Sequence, residues 1–298
     1  MTERLFVWLQ YLLPQHGLSR LVHWATRVRT AWFKDLVIRG FVRAFSVDMS
    51  EAAETRATAF PTFNAFFTRA LNPGARPLPA SDLAIACPVD GTVSQAGLAA
   101  NGRVLQAKDR DYGLAGLVGD ADLGRRFAGG SFATIYLAPY NYHRIHMPLD
   151  GELRRMIYLP GRLFSVNAAT VRSVPRLFSR NERVVCEFDT AAGPMALVLV
   201  GALNVGSIET VWAGEVAPGR PRRRVAVDYG PGEMSLDRGQ EMGRFNMGST
   251  VIALFSPGRV ELDPGLTPAA TLRMGQIMGR RLNAPEPGAA DQSESAPT

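Results

Sequence analysis

The run from Gly239 to Phe255, GQEMGRFNMGSTVIALF, constrains this chain more than any other stretch. Its last five residues, Val251-Ile252-Ala253-Leu254-Phe255, are apolar without interruption and rich in β-branched side chains, the composition of a buried strand. Gly248-Ser249-Thr250 stands at the mouth of that strand, so a hydroxyl is delivered where a loop becomes a sheet. Gly248 frees the backbone there and leaves its own carbonyl open to approach from Ser249. Taken alone, the same residues also describe an ordinary tight turn entering a strand.

The texture of this run extends over most of the chain. Between Ile85 and Leu262, short Val, Ile, Leu and Phe runs alternate with Gly, Pro, Asn and Asp, and few segments have helical period. With 46% hydrophobic residues in 298, a sizeable core can be buried. The expected class is α+β: N-terminal amphipathic helices over residues 1–48, then a β-rich body over 49–282 built of packed sheets or a distorted barrel. The stretch beyond, 283–298, is rich in Pro, Ala, Ser and acid and reads as a disordered tail.

The N-terminal segment carries Leu5, Trp8, Leu9, Leu12 and Leu13 at helical spacing, and after a Pro14-to-Gly17 break Leu21, Trp24, Ala25, Val28 and Trp32 continue the pattern. Ser50 is placed to cap a short helix through Ala57, and Pro61 to open another that carries Phe63, Phe66 and Phe67. Residues 1–45 hold seven basic side chains against Glu3 and Asp35, so they supply +5 of the net charge of +6. A nucleic-acid-binding body would carry its excess on the fold; a basic, Trp-rich amphipathic end instead suits an anionic membrane surface, or a helical hairpin packed on its own domain. The longest uncharged stretch, Thr190 to Ile208, is broken by Gly and Pro and reads as adjoining buried strands, not as a bilayer span. Cys87 and Cys186 have neither pair spacing nor a framework, which suggests a reducing compartment on the cytosolic side.

Two of the four histidines share one segment, Tyr140-Asn141-Tyr142-His143-Arg144-Ile145-His146. The others, His16 and His23, lie in the N-terminal helices, and no cysteine pair could complete a tetrahedral site, so metal binding is disfavoured, which leaves acid–base work or a pair of surface or core histidines without a task. Asp90 sits in Pro88-Val89-Asp90-Gly91, which also reads as an ordinary turn between strands. Together, Asp90, His146 and Ser249 supply the carboxylate, imidazole and hydroxyl that activate a serine. The surroundings of Ser249 do not match the Gly-x-Ser-x-Gly elbow, because Met247 and Val251 occupy the glycine positions.

Five segments in order, TFNAFFTRALNPGARP, PVDGTVSQAG, NYHRIHMPLDG, LFSRNERV and FNMGSTVIALF, resemble those of phosphatidylserine decarboxylase proenzymes from about residue 60 to 256. One departure is Met247, where that family usually has Leu before Gly-Ser-Thr; the volumes are similar. The resemblance implies self-cleavage between Gly248 and Ser249, with His146 as base and Asp90 holding its ring. It implies fragments 1–248 and 249–298 that stay together as a heterodimer, with further oligomerisation left open. It also implies a pyruvoyl group derived from Ser249 as the sole cofactor, which condenses with the amine of phosphatidylserine, and peripheral attachment to the cytoplasmic side of the cell membrane. His143 is the candidate proton donor to Cα in phosphatidylethanolamine formation, with carboxylate binding or pocket shaping as alternatives. Neither metal nor nucleic acid is implied. Pyridoxal phosphate is disfavoured because the only lysines are Lys34, in the amphipathic end, and Lys108, in a polar loop. The rival readings are a membrane-associated hydrolase that uses the same Ser-His-Asp set without self-cleavage, and a non-catalytic lipid-binding module.

Overall fold

A computed structural model describes residues 2–107, 110–203, 207–216, 223–247 and 250–282, with the backbone alone for 2–6. Lys108, Gly248, Ser249 and the 283–298 stretch therefore lie outside the described residues.

The strand read from the apolar run spans Thr250–Phe255, and every residue in it is buried. It lies at the middle of a nine-stranded antiparallel sheet, between Ser131–Tyr136 and Gly193–Val200. Its two faces feed different cores. Val251, Ala253 and Phe255 point into one cluster with Ile145, Met242 and Phe245, while Ile252 and Leu254 point into another with Leu117, Phe127 and Phe178. Burial on both sides explains why this strand shows no polar alternation in its sequence. The first cluster is closed by two smaller sheets. One is four-stranded and runs Gly214–Val216, Ile208–Thr210, Glu241–Phe245, Arg144–His146; the other contains Ala84–Ala86, Ile277–Arg281 and Val260–Leu262. None of the sheets closes into a barrel, so the packed-sheet alternative holds.

The N-terminal pattern resolves into three helices: α1 (Thr2–Leu12), α2 (Gln15–Ala25) and α3 (Ala31–Phe45). The sequence reading had run α2 on through Trp32; Thr26 to Thr30 instead form a turn and linker, and the Asn64 amide donates to the Thr26 carbonyl at 2.9 Å. Two buried glutamines fasten α1 and α2 to the body. Gln10 accepts from the Ser165 amide at 2.8 Å and Gln15 from the Leu163 amide at 2.9 Å. Trp8, Leu12, Leu21, Trp24, Trp32 and Leu36 are exposed on the other side. Among the described residues no helix is long and apolar enough to cross a membrane.

The helix expected from Ser50 to Ala57 is absent. The backbone there pairs with a neighbouring segment, Ala53 N to Ala70 O and Asn72 N to Glu51 O, and the Asp48 carboxylate takes the Ser50 amide. The next helix, α4 (Phe63–Phe67), is a single turn capped by the Thr62 hydroxyl, which accepts from the Ala65 amide. Its Phe63, Phe66 and Phe67 pack with Ile38, Phe41 and Met247, so α3 shares a cluster with the residue that precedes Gly248.

Candidate active site

The residues on either side of Gly248 and Ser249 are anchored. Upstream, Asn246 is buried and fully engaged: its amide donates to Ser207 O, its side chain donates to Ser207 Oγ at 2.8 Å, and it accepts from Asn64 Nδ2 at 3.0 Å. Downstream, Thr250 is registered between Tyr136 and Val200 in the central sheet. Between these anchors Met247 has φ of 99°. A side chain at such a φ costs on the order of 1–3 kcal/mol, so strain sits one residue before Gly248. Asn246 carried no chemical signal in the sequence beyond its place in FNMGST.

His146 ends the Arg144–His146 strand and is buried. Its Nδ1 lies 2.7 Å from the Gly239 carbonyl and its Nε2 lies 3.0 Å from the Tyr142 hydroxyl. A carbonyl only accepts, so Nδ1 carries the proton and the Nε2 lone pair receives the Tyr142 hydroxyl. Gly239 reaches this position with φ of 82°, where a Cβ would meet Leu78. Burial pushes the His146 pKa below the ordinary value, against the upward pull of Glu241 and Asp90. The ring is thus held as a neutral base.

Asp90 does not hold that ring by a hydrogen bond, as the sequence reading had it. Its carboxylate accepts from Arg76 Nε at 2.9 Å and Nη2 at 2.5 Å, and from the Met274 amide at 2.8 Å. Arg76 also binds Glu51, and these two carboxylates raise its pKa. The physical reason is pairing strength, since a bidentate guanidinium outcompetes a neutral imidazole for a buried carboxylate. Nor is Asp90-Gly91 a hairpin turn: the strands on either side of it belong to different sheets. Gly91 is required by close approach, because a Cβ there would lie 2.5 Å from the Tyr136 carbonyl.

His143 is buried completely, its Nδ1 2.9 Å from the Asn141 carbonyl and its ring 4.0 Å from that of Phe67. Burial, with a smaller contribution from the Arg69 charge, pushes its pKa down to about 3. Its main-chain carbonyl accepts from the Phe245 amide at 3.0 Å, two residues before Met247. Beside it, a cavity of about 350 Å³ is lined by Phe41, Phe45, Phe67, Tyr136, Val166 and Met247. A second, of about 370 Å³, shares Tyr136 and Val166 and is otherwise mostly apolar. Neither thiol competes as a nucleophile, because burial pushes Cys87 up to about 12 and Cys186 up as well.

Comparison with known proteins assigns this arrangement to a family. The family model for phosphatidylserine decarboxylase matches residues 63–280, and a second model, described as PSD, matches residues 5–46. A phosphatidylserine decarboxylase proenzyme of Methylococcus capsulatus is 52% identical over 277 residues, which is 93% of this chain and 96% of that protein. One of Pseudomonas aeruginosa is 53% identical with the same shares, and one of Alkalilimnicola ehrlichii is 58% identical over 85% of this chain and 90% of its own. The resemblance read from the five segments therefore holds over nearly the whole length, and the chain belongs to the phosphatidylserine decarboxylase proenzyme family.

Proposed function

We propose that this enzyme decarboxylates phosphatidylserine to phosphatidylethanolamine, using a pyruvoyl group made from its own Ser249. The observation that carries the reading is the strained Met247 backbone, held between Asn246 and the central sheet one residue before Gly248, the residue whose link to Ser249 we propose is cleaved. The Ser249 hydroxyl attacks the Gly248 carbonyl carbon, and the peptide C–N bond breaks as an ester C–O bond forms. His146 takes the hydroxyl proton at Nε2 by way of the Tyr142 hydroxyl that occupies that lone pair, and returns it to the departing amine. Loss of the Ser249 Cα proton then expels the Gly248 carboxylate, and the unsaturated amine that remains is hydrolysed with release of ammonia. The products are fragments 1–248 and 249–298, which stay associated because the Thr250–Phe255 strand is paired on both edges.

Asp90 contributes by charge: it stabilises the His146 imidazolium while Arg76 fixes its position. A pyruvoyl group is favoured over pyridoxal phosphate by the scarcity of lysine, and of the two lysines Lys34 is engaged with Asp35 and with the Thr58 carbonyl at 2.8 Å. What the pyruvoyl group supplies when formed is an electron sink for the charge left on Cα. His143 starts neutral, with no partner for its Nε2 lone pair among the described residues; an anionic head group beside it raises its basicity, so that Nε2 takes up a proton from water and then delivers it to Cα. The exposed tryptophans and leucines of α1 to α3, flanked by arginines, support peripheral attachment to an anionic membrane, on the cytoplasmic face of the cell membrane, where the two-chain substrate resides. The two apolar cavities give room for acyl methylenes.

The test is a decarboxylation assay on phosphatidylserine vesicles, with denaturing electrophoresis of the same sample. Wild type should release carbon dioxide and run as two bands, and Ser249→Ala as one inactive band. A Ser249→Ala chain as active as wild type would refute the reading.

A further inference from the structure

Arg69 is the least satisfied charged group near the site. Its side chain belongs to a residue only 4% exposed, and among the described residues its Nε and Nη1 have no hydrogen-bond partner. Nη2 donates to the Tyr140 carbonyl at 3.2 Å, and the guanidinium lies 5.6 Å from the Phe66 ring centre. The neighbouring carboxylates are occupied elsewhere: Asp90 and Glu51 by Arg76, and Asp48 by the Ser50 amide. An arginine cannot shed its proton to escape burial, so its unpartnered N–H groups retain a demand for an anion. His143 Nε2 is likewise buried without a partner, and the Arg69 charge acts on its ring. The two orphaned groups are thus electrostatic neighbours, and Phe67, whose ring packs on His143, also lines the cavity bounded by Met247.

We propose that Arg69, with His143 at its side, is the subsite for the phosphodiester of the substrate head group; this rests on the decarboxylase reading above. Either the Nε edge or the Nη1 end, each together with the second N–H of Nη2, presents a two-donor fork to the two non-bridging oxygens. The head-group carboxylate offers similar oxygens but is the wrong recipient. It loses its charge as carbon dioxide departs, so a fork on it would stabilise the ground state more than the transition state. The phosphodiester keeps its charge from substrate to product, so binding it costs nothing in the chemical step. It also places a permanent anion beside His143, which favours the protonated ring needed to reprotonate Cα.

The experiment uses dihexanoyl phosphatidylserine as a monomeric substrate and dihexanoyl phosphatidylethanolamine as inhibitor, with cleavage of each variant verified by mass. The inhibitor keeps the phosphodiester and lacks the carboxylate. Arg69→Gln should raise KM about 30- to 100-fold, leave kcat within about threefold, and weaken inhibition by the same factor as KM. Arg69→Lys should recover part of both losses. A raised KM with unchanged inhibition would place Arg69 on the carboxylate and overturn the proposal. Unchanged KM and inhibition in Arg69→Gln would show that the residue is structural. Should Arg69→Gln not be recovered in cleaved form, Arg69→Lys should still weaken both constants about three- to tenfold through loss of the fork, and wild-type values for it would overturn the proposal. Wild-type activity on the substrate tests the decarboxylase reading separately.

Discussion

Two histidines three residues apart are treated in opposite ways. His146 has both ring nitrogens engaged, by the Gly239 carbonyl and the Tyr142 hydroxyl, on a strand paired to Glu241–Phe245. His143 has one nitrogen engaged and the other buried without a partner among the described residues, beside an arginine in the same condition. A group whose partners are all internal is set for work on the chain itself; a group left unsatisfied is set for something that arrives. On the proposed function, this contrast would separate self-cleavage from turnover within one short segment.

The largest effects should fall on opposite sides of that division. His146→Gln should leave the chain uncut, with no fragment on denaturing gels and no decarboxylation. His143→Gln should cut normally yet lose decarboxylation by about 10²- to 10⁴-fold, the range for removing a general acid. An uncut His143→Gln chain would erase the distinction. Next, Asp90→Ala removes the partner of a buried guanidinium and should destabilise the fold by about 3 kcal/mol in urea unfolding, the low end for a broken buried pair because Glu51 still holds Arg76. It should also slow cleavage, as the charge acting on His146 is lost.

A separate effect, confined to acid pH, appears in the pH dependence of stability. The pKa of His143 is about 3 in the fold against 6.5 in the open chain, so between those values the unfolded state binds the extra proton. Its contribution is fully present above pH 6.5 and is lost as pH falls, at a slope approaching 1.4 kcal/mol per unit. His143→Gln should flatten the acid limb of the stability curve measured by urea unfolding. Least of all, Met247→Leu should change the cleavage rate by no more than a few fold, since the volumes match and the strained backbone stays.

The sequence revealed what rests on local pattern. Thr250–Phe255 was legible because burial on both faces leaves an uninterrupted apolar run. The amphipathic helices were legible too, but Leu21 to Trp32 continue one helical period across a linker, which concealed the start of α3. Ser50 resembled a cap because nothing nearby tells that its segment pairs with residues 70–72. Within the site, residue types pointed to His143, His146, Asp90 and the Gly-Ser-Thr. Their partners did not show: Arg76, Gly239 and Asn64 are brought in from distant parts of the chain, and Arg69 reads in FFTRAL as an ordinary cation closing a short helix. Unsatisfied burial is a three-dimensional property, and no spacing encodes it.

The mass of the small fragment from freshly purified protein tests the central claim most directly. Conversion of Ser249 to pyruvoyl removes the elements of ammonia, so the peptide 249–298 should be about 17 mass units lighter than encoded and blocked to amino-terminal sequencing. A fragment of the encoded mass with a free amino-terminal serine, or a single intact chain of 32.4 kDa that still decarboxylates, would contradict it.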